Sequence, residues 1–215
     1  MARITLSFDN GPEPSVTPHV LECLAKHEIA ATFFVLGRKV SLPEGRALSE
    51  AAVAAGHRVG NHTWNHRTPL GLLDSASAMA EFEDTANALS WLSQTPPLFR
   101  PFGGAGSFGH HLLHPSVVEQ LVARQYTCVL WNCVPGDFRD PDGWMERALH
   151  DVKTREWNML VLHDLPNGAM RHLDRFLHTL RDDGHEFAQE YPDECIPIKD
   201  GRILMPLEPL LPAAD

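Results

Sequence analysis

The sequence predicts an α/β fold built on a closed or nearly closed barrel of parallel strands. Two observations carry this. Short apolar runs alternate with helix-patterned stretches six or seven times along the chain, the pattern of strands joined by crossover helices. Most of the runs also end in a polar side chain followed by a turn, as strands do on the working face of a parallel barrel.

The first strand is expected over residues 4–8, stopping at Asp9-Asn10-Gly11-Pro12, a turn signal. A helix follows over 15–27, with Val16, Val20, Leu21 and Leu24 on one face. The apolar run 31–36, closed by Gly37, is the second strand. A helix over 44–55 stops at Gly56, a residue suited to the position just past a helix end. Residues 58–62 read as the third strand and its exit turn, and the longest helix covers 75–92, ahead of Pro96-Pro97. Residues 98–100 form a short fourth strand. The glycine-rich stretch 101–106 suits a site loop. Pro115 opens a helix to 125. Strand five is 127–131, and a loop with Pro135, Gly136 and Pro141 leads to a helix over 143–153. Strand six is 158–162, ending at His163-Asp164. A helix over 170–183 and a strand over 185–187 follow, and the tail from Pro192 is expected to lie along the outside. No repeat or linker interrupts the chain, so residues 1–215 are expected to form one domain with its core at about 3–190.

Composition narrows the function. With 43% hydrophobic and 21% charged residues the chain resembles an ordinary soluble enzyme. A net charge of −10 argues against nucleic acid or an anionic membrane as partner. No apolar stretch reaches the roughly 18 residues of a membrane span. Asp9 comes too early for the apolar region of a signal peptide, so a cytoplasmic location is expected. Cys23, Cys128, Cys133 and Cys195 show no C-x-x-C spacing and read as reduced thiols, mostly buried. Oligomeric state leaves no readable trace.

The strand ends carry the functional signal. They supply Asp9 and Asn10, then His62 with His66 four residues on, Arg100, Asp137 and His163. On a parallel barrel all of these open onto one face, and no packing requirement brings such residues together. Two imidazoles at i and i+4 can reach one ion. The chain has 13 histidines, so His110, His111 and His114, away from any strand end, read as loop residues. Trp64, Trp131 and Trp144 are either stacking platforms for a ligand or core.

These residues carry a resemblance. Ser7-Phe8-Asp9-Asn10-Gly11-Pro12 is similar to the TFDDGP motif of the polysaccharide deacetylases, the carbohydrate esterase family that includes chitooligosaccharide deacetylases. His62-Thr63-Trp64-Asn65-His66 resembles the family's H-[ST]-x-x-H motif, and Arg100-Pro101-Phe102-Gly103-Gly104 its R-P-x-x-G loop. The segment from Trp131 to Phe138 resembles W-x-x-D-x-x-D-W, and Leu160-Val161-Leu162-His163 the final L-x-H. Five motifs in family order are far more specific than any one.

The resemblance implies a distorted barrel of about seven parallel strands and metal-dependent removal of an N-acetyl group from an amino sugar, zinc being the expected ion. By position it makes Asp9 the general base, His163 the general acid and Arg100 the group that orients Asp9. His62, His66 and Asn10 become the metal ligands. Phe102, Gly103, Trp131, Asp137 and Phe138 become substrate-binding residues. The chemistry is self-consistent: amide hydrolysis needs an activated water, a positive centre and a proton for the leaving amine.

Two departures stand out. Asn10 occupies the place of a second acid, so the ligand set is neutral and metal affinity should fall. Val134 stands where the resemblance places an acid that pairs with the acid histidine, leaving Asp137, Asp140 or Asp164 to substitute. The leading expectation is therefore a deacetylase of an N-acetylated oligosaccharide or conjugate. Hydrolysis of a small cyclic amide or ureide with a weakened or absent metal site, and an inactive sugar-binding relative, are the alternatives.

Overall fold

A computed structural model describes residues 1–104 and 106–213; Ala105 of the glycine-rich loop and the last two residues of the predicted domain lie outside the described residues. One curled sheet organises the chain. Its first strand, β1 (Arg3–Asp9), is the most connected. It pairs along its whole length with β6 (Trp157–His163), placing Asp9 opposite His163. Its other edge is shared by β7 (Glu186–Ala188), against Arg3 to Thr5, and β2 (Thr32–Val35), against Ser7 to Asp9. From β2 the order continues in parallel through β3 (Arg58–Asn61), β4 (Leu98–Phe99) and β5 (Thr127–Cys128). Between β5 and β6 the curl is bridged by Cys133, paired in parallel with Leu160. The result is a distorted barrel, as expected.

Alternation along β1 divides the interior. Ile4, Leu6 and Phe8 join a core shared with α1 (Thr17–Lys26), α3 (Pro43–Ala54), α6 (Trp144–Asp151) and α7 (Leu173–Asp182). Thr5, Ser7 and Asp9 are also buried, on the opposite face. A second core gathers Phe34, Phe99, Val129, Met159 and Val161 with residues of α4 (Ser75–Ala88) and α5 (Pro115–Ala123). The polar positions of β1 are thus directed inward and toward the mouth.

The predicted elements recur with shifted bounds. A short helix, α2 (Gly37–Val40), follows β2 directly, where no helix was expected. α4 ends at Ala88, four residues short of the expected end. The tail departs from expectation: β8 (Ile198–Lys199) pairs antiparallel with β5 and with β9 (Arg202–Ile203), extending the sheet. β5 offers an unpaired edge there, and Ile198 is fully buried against it. All four cysteines are buried free thiols, as predicted. No described helix is long and apolar enough to cross a membrane.

Candidate active site

Asp9, Asn10, His62, His66 and His163 line one cleft of about 360 Å³ at the C-terminal ends of the strands. Phe102, Gly103, Trp131 and Phe138 line it too, together with Val134 and Leu165. The predicted convergence is therefore observed for these residues other than Val134 and Leu165, which were not among the predicted site residues.

Asp9 is 4% exposed and held by Arg100, whose NH1 donates to Asp9 Oδ1 at 2.8 Å and to Ser7 Oγ at 2.6 Å. Arg100 is itself fully buried. Its remaining donors go to the Val129 and Leu130 carbonyls at 3.0 and 3.1 Å, and its guanidinium lies 4.0 Å over the Phe34 ring. Burial pushes the Asp9 carboxyl upward, but the charge and hydrogen bond of Arg100 lead the influences that outweigh it and hold Asp9 below the usual carboxylate range. Asp9 is ionised at neutral pH.

His62 leaves β3 with its Nδ1 2.9 Å from the Arg100 carbonyl oxygen. A carbonyl only accepts, so Nδ1 carries the hydrogen and Nε2 keeps its lone pair. Nε2 lies 3.5 Å from Asp9 Oδ2. The His66 ring centre is 4.8 Å from that of His62 and 3.8 Å from that of Phe102. Burial, then the neighbouring His62, lowers His66 to about 3; burial also lowers His62. Both imidazoles are neutral. The turn between them bends through left-handed Thr63 and His66. It is held from α4 by Glu81, which accepts from the Trp64 and Asn65 amides at 2.8 Å and from Asn65 Nδ2 at 3.0 Å.

Among the described residues no three His, Cys, Asp or Glu side chains converge as a ligand set. The third donor available is Asn10, whose buried Oδ1 has no hydrogen-bond partner among the described residues. An orphaned amide oxygen is costly unless something meets it. Two neutral imidazoles and this oxygen, on one cleft, fit a divalent ion of borderline softness such as zinc.

On the other side stands His163. Its Nδ1 is 2.9 Å from Asp137 Oδ1, and its amide donates to Asp137 Oδ2 at 2.7 Å. Burial pushes the imidazole down, but the charge and hydrogen bond of Asp137 override it and raise His163 above its ordinary value. Of the three acids expected to substitute at Val134, the structure selects one, and it corrects one other expectation. The partner acid missing at Val134 is Asp137, three residues on, while Val134 faces the cleft. Asp137 is fully buried behind His163 rather than lining the cleft, so it is not placed to touch substrate. Asp140 instead pairs with Arg147 at 2.7 Å on the surface. Phe138 packs edge-on against His163 with ring centres 4.9 Å apart.

The glycine-rich loop forms the remaining wall. A Cβ on Gly103 would lie 2.3 Å from the Trp131 ring, so only glycine lets the loop cross the indole. Trp131 Nε1 donates to the Gly106 carbonyl at 2.8 Å. Trp144 is core, buried with its Nε1 on the Ala169 carbonyl. His110 contacts the Leu211 carbonyl and His114 caps α5, as loop residues would. Sequence reasoning missed Ser7, Phe34 and Glu81. Ser7 was legible as an inward position of β1; Glu81 carried no signal, lying a helix away.

Residues 2–113 match the family model described as polysaccharide deacetylase. The chain is 28% identical over 194 residues to the peptidoglycan-N-acetylglucosamine deacetylase of Bacillus cereus, covering 86% of this chain and 84% of that protein. It is 41% identical over 168 residues to a chitooligosaccharide deacetylase of Rhizobium leguminosarum bv. trifolii, covering 75% and 71%. The solved structure of the peptidoglycan deacetylase PdaC from Bacillus subtilis superposes with a TM-score of 0.72 at 26% identity, covering 86% of each chain. Of some relatives the chain spans a smaller part: 37% of the full-length PdaC sequence.

Proposed function

The chain belongs to the polysaccharide deacetylase family, and from that premise we propose that it hydrolyses the N-acetyl amide of an amino sugar in a short oligosaccharide. One observation carries this reading. A carboxylate clamped by a buried arginine and an imidazole backed by a buried carboxylate stand on paired positions of β1 and β6, on one cleft. Amide hydrolysis needs such a base and such an acid.

Asp9 is ionised and has Oδ1 occupied by Arg100, leaving Oδ2 to take a proton from water. His163 stays protonated to higher pH than an ordinary histidine and has Nδ1 committed to Asp137, so Nε2 delivers the proton to the leaving amine. His62, His66 and Asn10 would hold a divalent ion, which when bound supplies Lewis acidity and a more acidic water. Phe102, Trp131 and Phe138 give the acetamido group and ring an apolar wall.

The test is incubation with chitooligosaccharides, and in parallel with allantoin-like ureides, with and without zinc, cobalt and manganese. Acetate release that disappears in Asp9→Ala and in His163→Ala is expected. Ring opening of the ureide without acetate release would replace the reading with the cyclic-amide alternative. Saturable sugar binding with no turnover would make the protein a binding relative.

A further inference from the structure

Asp164 follows His163 and takes no part in the chemistry above. Its carboxyl is fully buried, and no described lysine, arginine or histidine forms an ion pair with it. Lys39 is the cation that acts on it most through charge, but pairs with Glu13 at 3.2 Å; His163, committed to Asp137, is the other charged group acting on it. Oδ1 has no hydrogen-bond partner among the described residues. An apolar side chain of similar size would avoid that cost, so the carboxyl must supply something an apolar group cannot.

What it supplies is a tether. Thr17, at the start of α1, donates its hydroxyl to Asp164 Oδ2, and the same hydroxyl oxygen accepts from the Glu13 amide at 2.7 Å. On the near side the carboxyl presses on Gly11, where a Cβ would stand 2.2 Å from Oδ2. The Gly11 carbonyl is held from its other end by the Leu36 amide at 2.9 Å. The residue between Asp9 and Gly11 is Asn10, in a left-handed conformation with φ 72°.

We infer that Asp164 is a positioning residue: it clamps the Asn10–Gly11 turn to the end of β6, and so sets Asp9 and Asn10 against His163. This rests on the reading of Asp9 and His163 as the reacting pair. Burial raises Asp164 to about 7, consistent with a neutral carboxyl doing the work, so an amide should replace it.

Asp164→Asn, Asp164→Leu and Thr17→Val are compared with the wild-type protein by amide hydrogen exchange and by steady-state kinetics on a chitooligosaccharide. Asp164→Leu should lose protection at the Glu13 and Leu36 amides while the β6 amides stay protected. Its kcat should fall about 10²-fold with KM little changed, the cost of an ångström-scale misplacement. Asp164→Asn should keep the protection and a kcat within about 3-fold of wild type, well under 1 kcal/mol of barrier. Thr17→Val, which severs the tether from the other side without touching β6, should follow Asp164→Leu. The inference is overturned if Asp164→Leu, or Thr17→Val where that variant alone folds, keeps wild-type protection, or if Asp164→Asn is as impaired as Asp164→Leu. A wild-type protein that deacetylates nothing would sink the functional reading alone, since the exchange pattern still decides the clamp.

Discussion

Asn10 is the one donor in the cleft that can gain a charge with almost no change in shape. Its backbone is left-handed, a region aspartate tolerates nearly as well, so Asn10→Asp alters charge alone. Zinc affinity should rise by at least about 10-fold, on the scale of ligand-shell changes, in a calorimetric titration of the metal-free protein. Equal affinity in the two proteins would remove Asn10 from the ligand set. Asp137 gives a second prediction. Burial alone pushes His163 down, and Asp137 is the leading influence that raises it. In Asp137→Asn burial acts with less opposition, the imidazole loses its proton at lower pH, and the alkaline limb of the kcat–pH profile should move to lower pH. The rate at neutral pH should drop about 10²-fold, the low end of general-acid contributions. An alkaline limb that stays in place would show that another group delivers the proton. Asp137 was one of three acids the sequence offered for this role, and the choice among them was not legible: a loop that returns three residues late cannot be registered against β6 without coordinates.

At the scale of elements, the strands that were legible are those with an apolar run closed by a turn, and β1 shows most in its side chains. Ile4-Thr5-Leu6-Ser7-Phe8-Asp9 alternates apolar and polar, and the structure uses both halves, one for the helix-facing core and one for the arginine and the cleft. The tail was not legible, because β8 and β9 have two residues each and are made by the free edge of β5 rather than by their own pattern. The hidden contribution of α4 is similar. Its Glu81 holds the turn bearing both imidazoles through three hydrogen bonds, yet lies outside the cleft. Glu81→Ala should weaken zinc binding by about 10–100-fold, as outer-shell lesions do, with helix content unchanged by circular dichroism. Asp74→Ala removes the N-cap of the same helix, so it should cost about 1 kcal/mol of stability and leave zinc affinity alone. If the two variants bind zinc equally, α4 stabilises the fold without positioning the site.

At the scale of the whole molecule, the parallel barrel and its one working face could be read from strand ends alone, because a parallel sheet sends every C-terminus the same way. What that logic could not supply is the sign of the charges buried beneath the face. Two buried carboxylates pull in opposite directions with pH. Asp9 lies below its ordinary value of 3.8, so its contribution is present above that pH and is lost as pH falls through the lower, folded-state value. Asp164, raised from 3.8 to about 7, contributes fully below about 4 and loses that contribution as pH climbs through 7, where the folded protein must surrender a proton the unfolded chain gave up earlier. The neutral amide of Asp164→Asn has no such slope. Its melting temperature relative to wild type should therefore rise from pH 5 to pH 8, by several degrees for a difference of a few kcal/mol in a chain of this size. Asp9→Asn should show the reverse trend, losing most against wild type at neutral pH and least in acid. Thermal melts of the three proteins from below about pH 4 up to pH 8 check both signs at once, and parallel curves for wild type and Asp164→Asn would mean that Asp164 does not change its charge between the folded and unfolded chain.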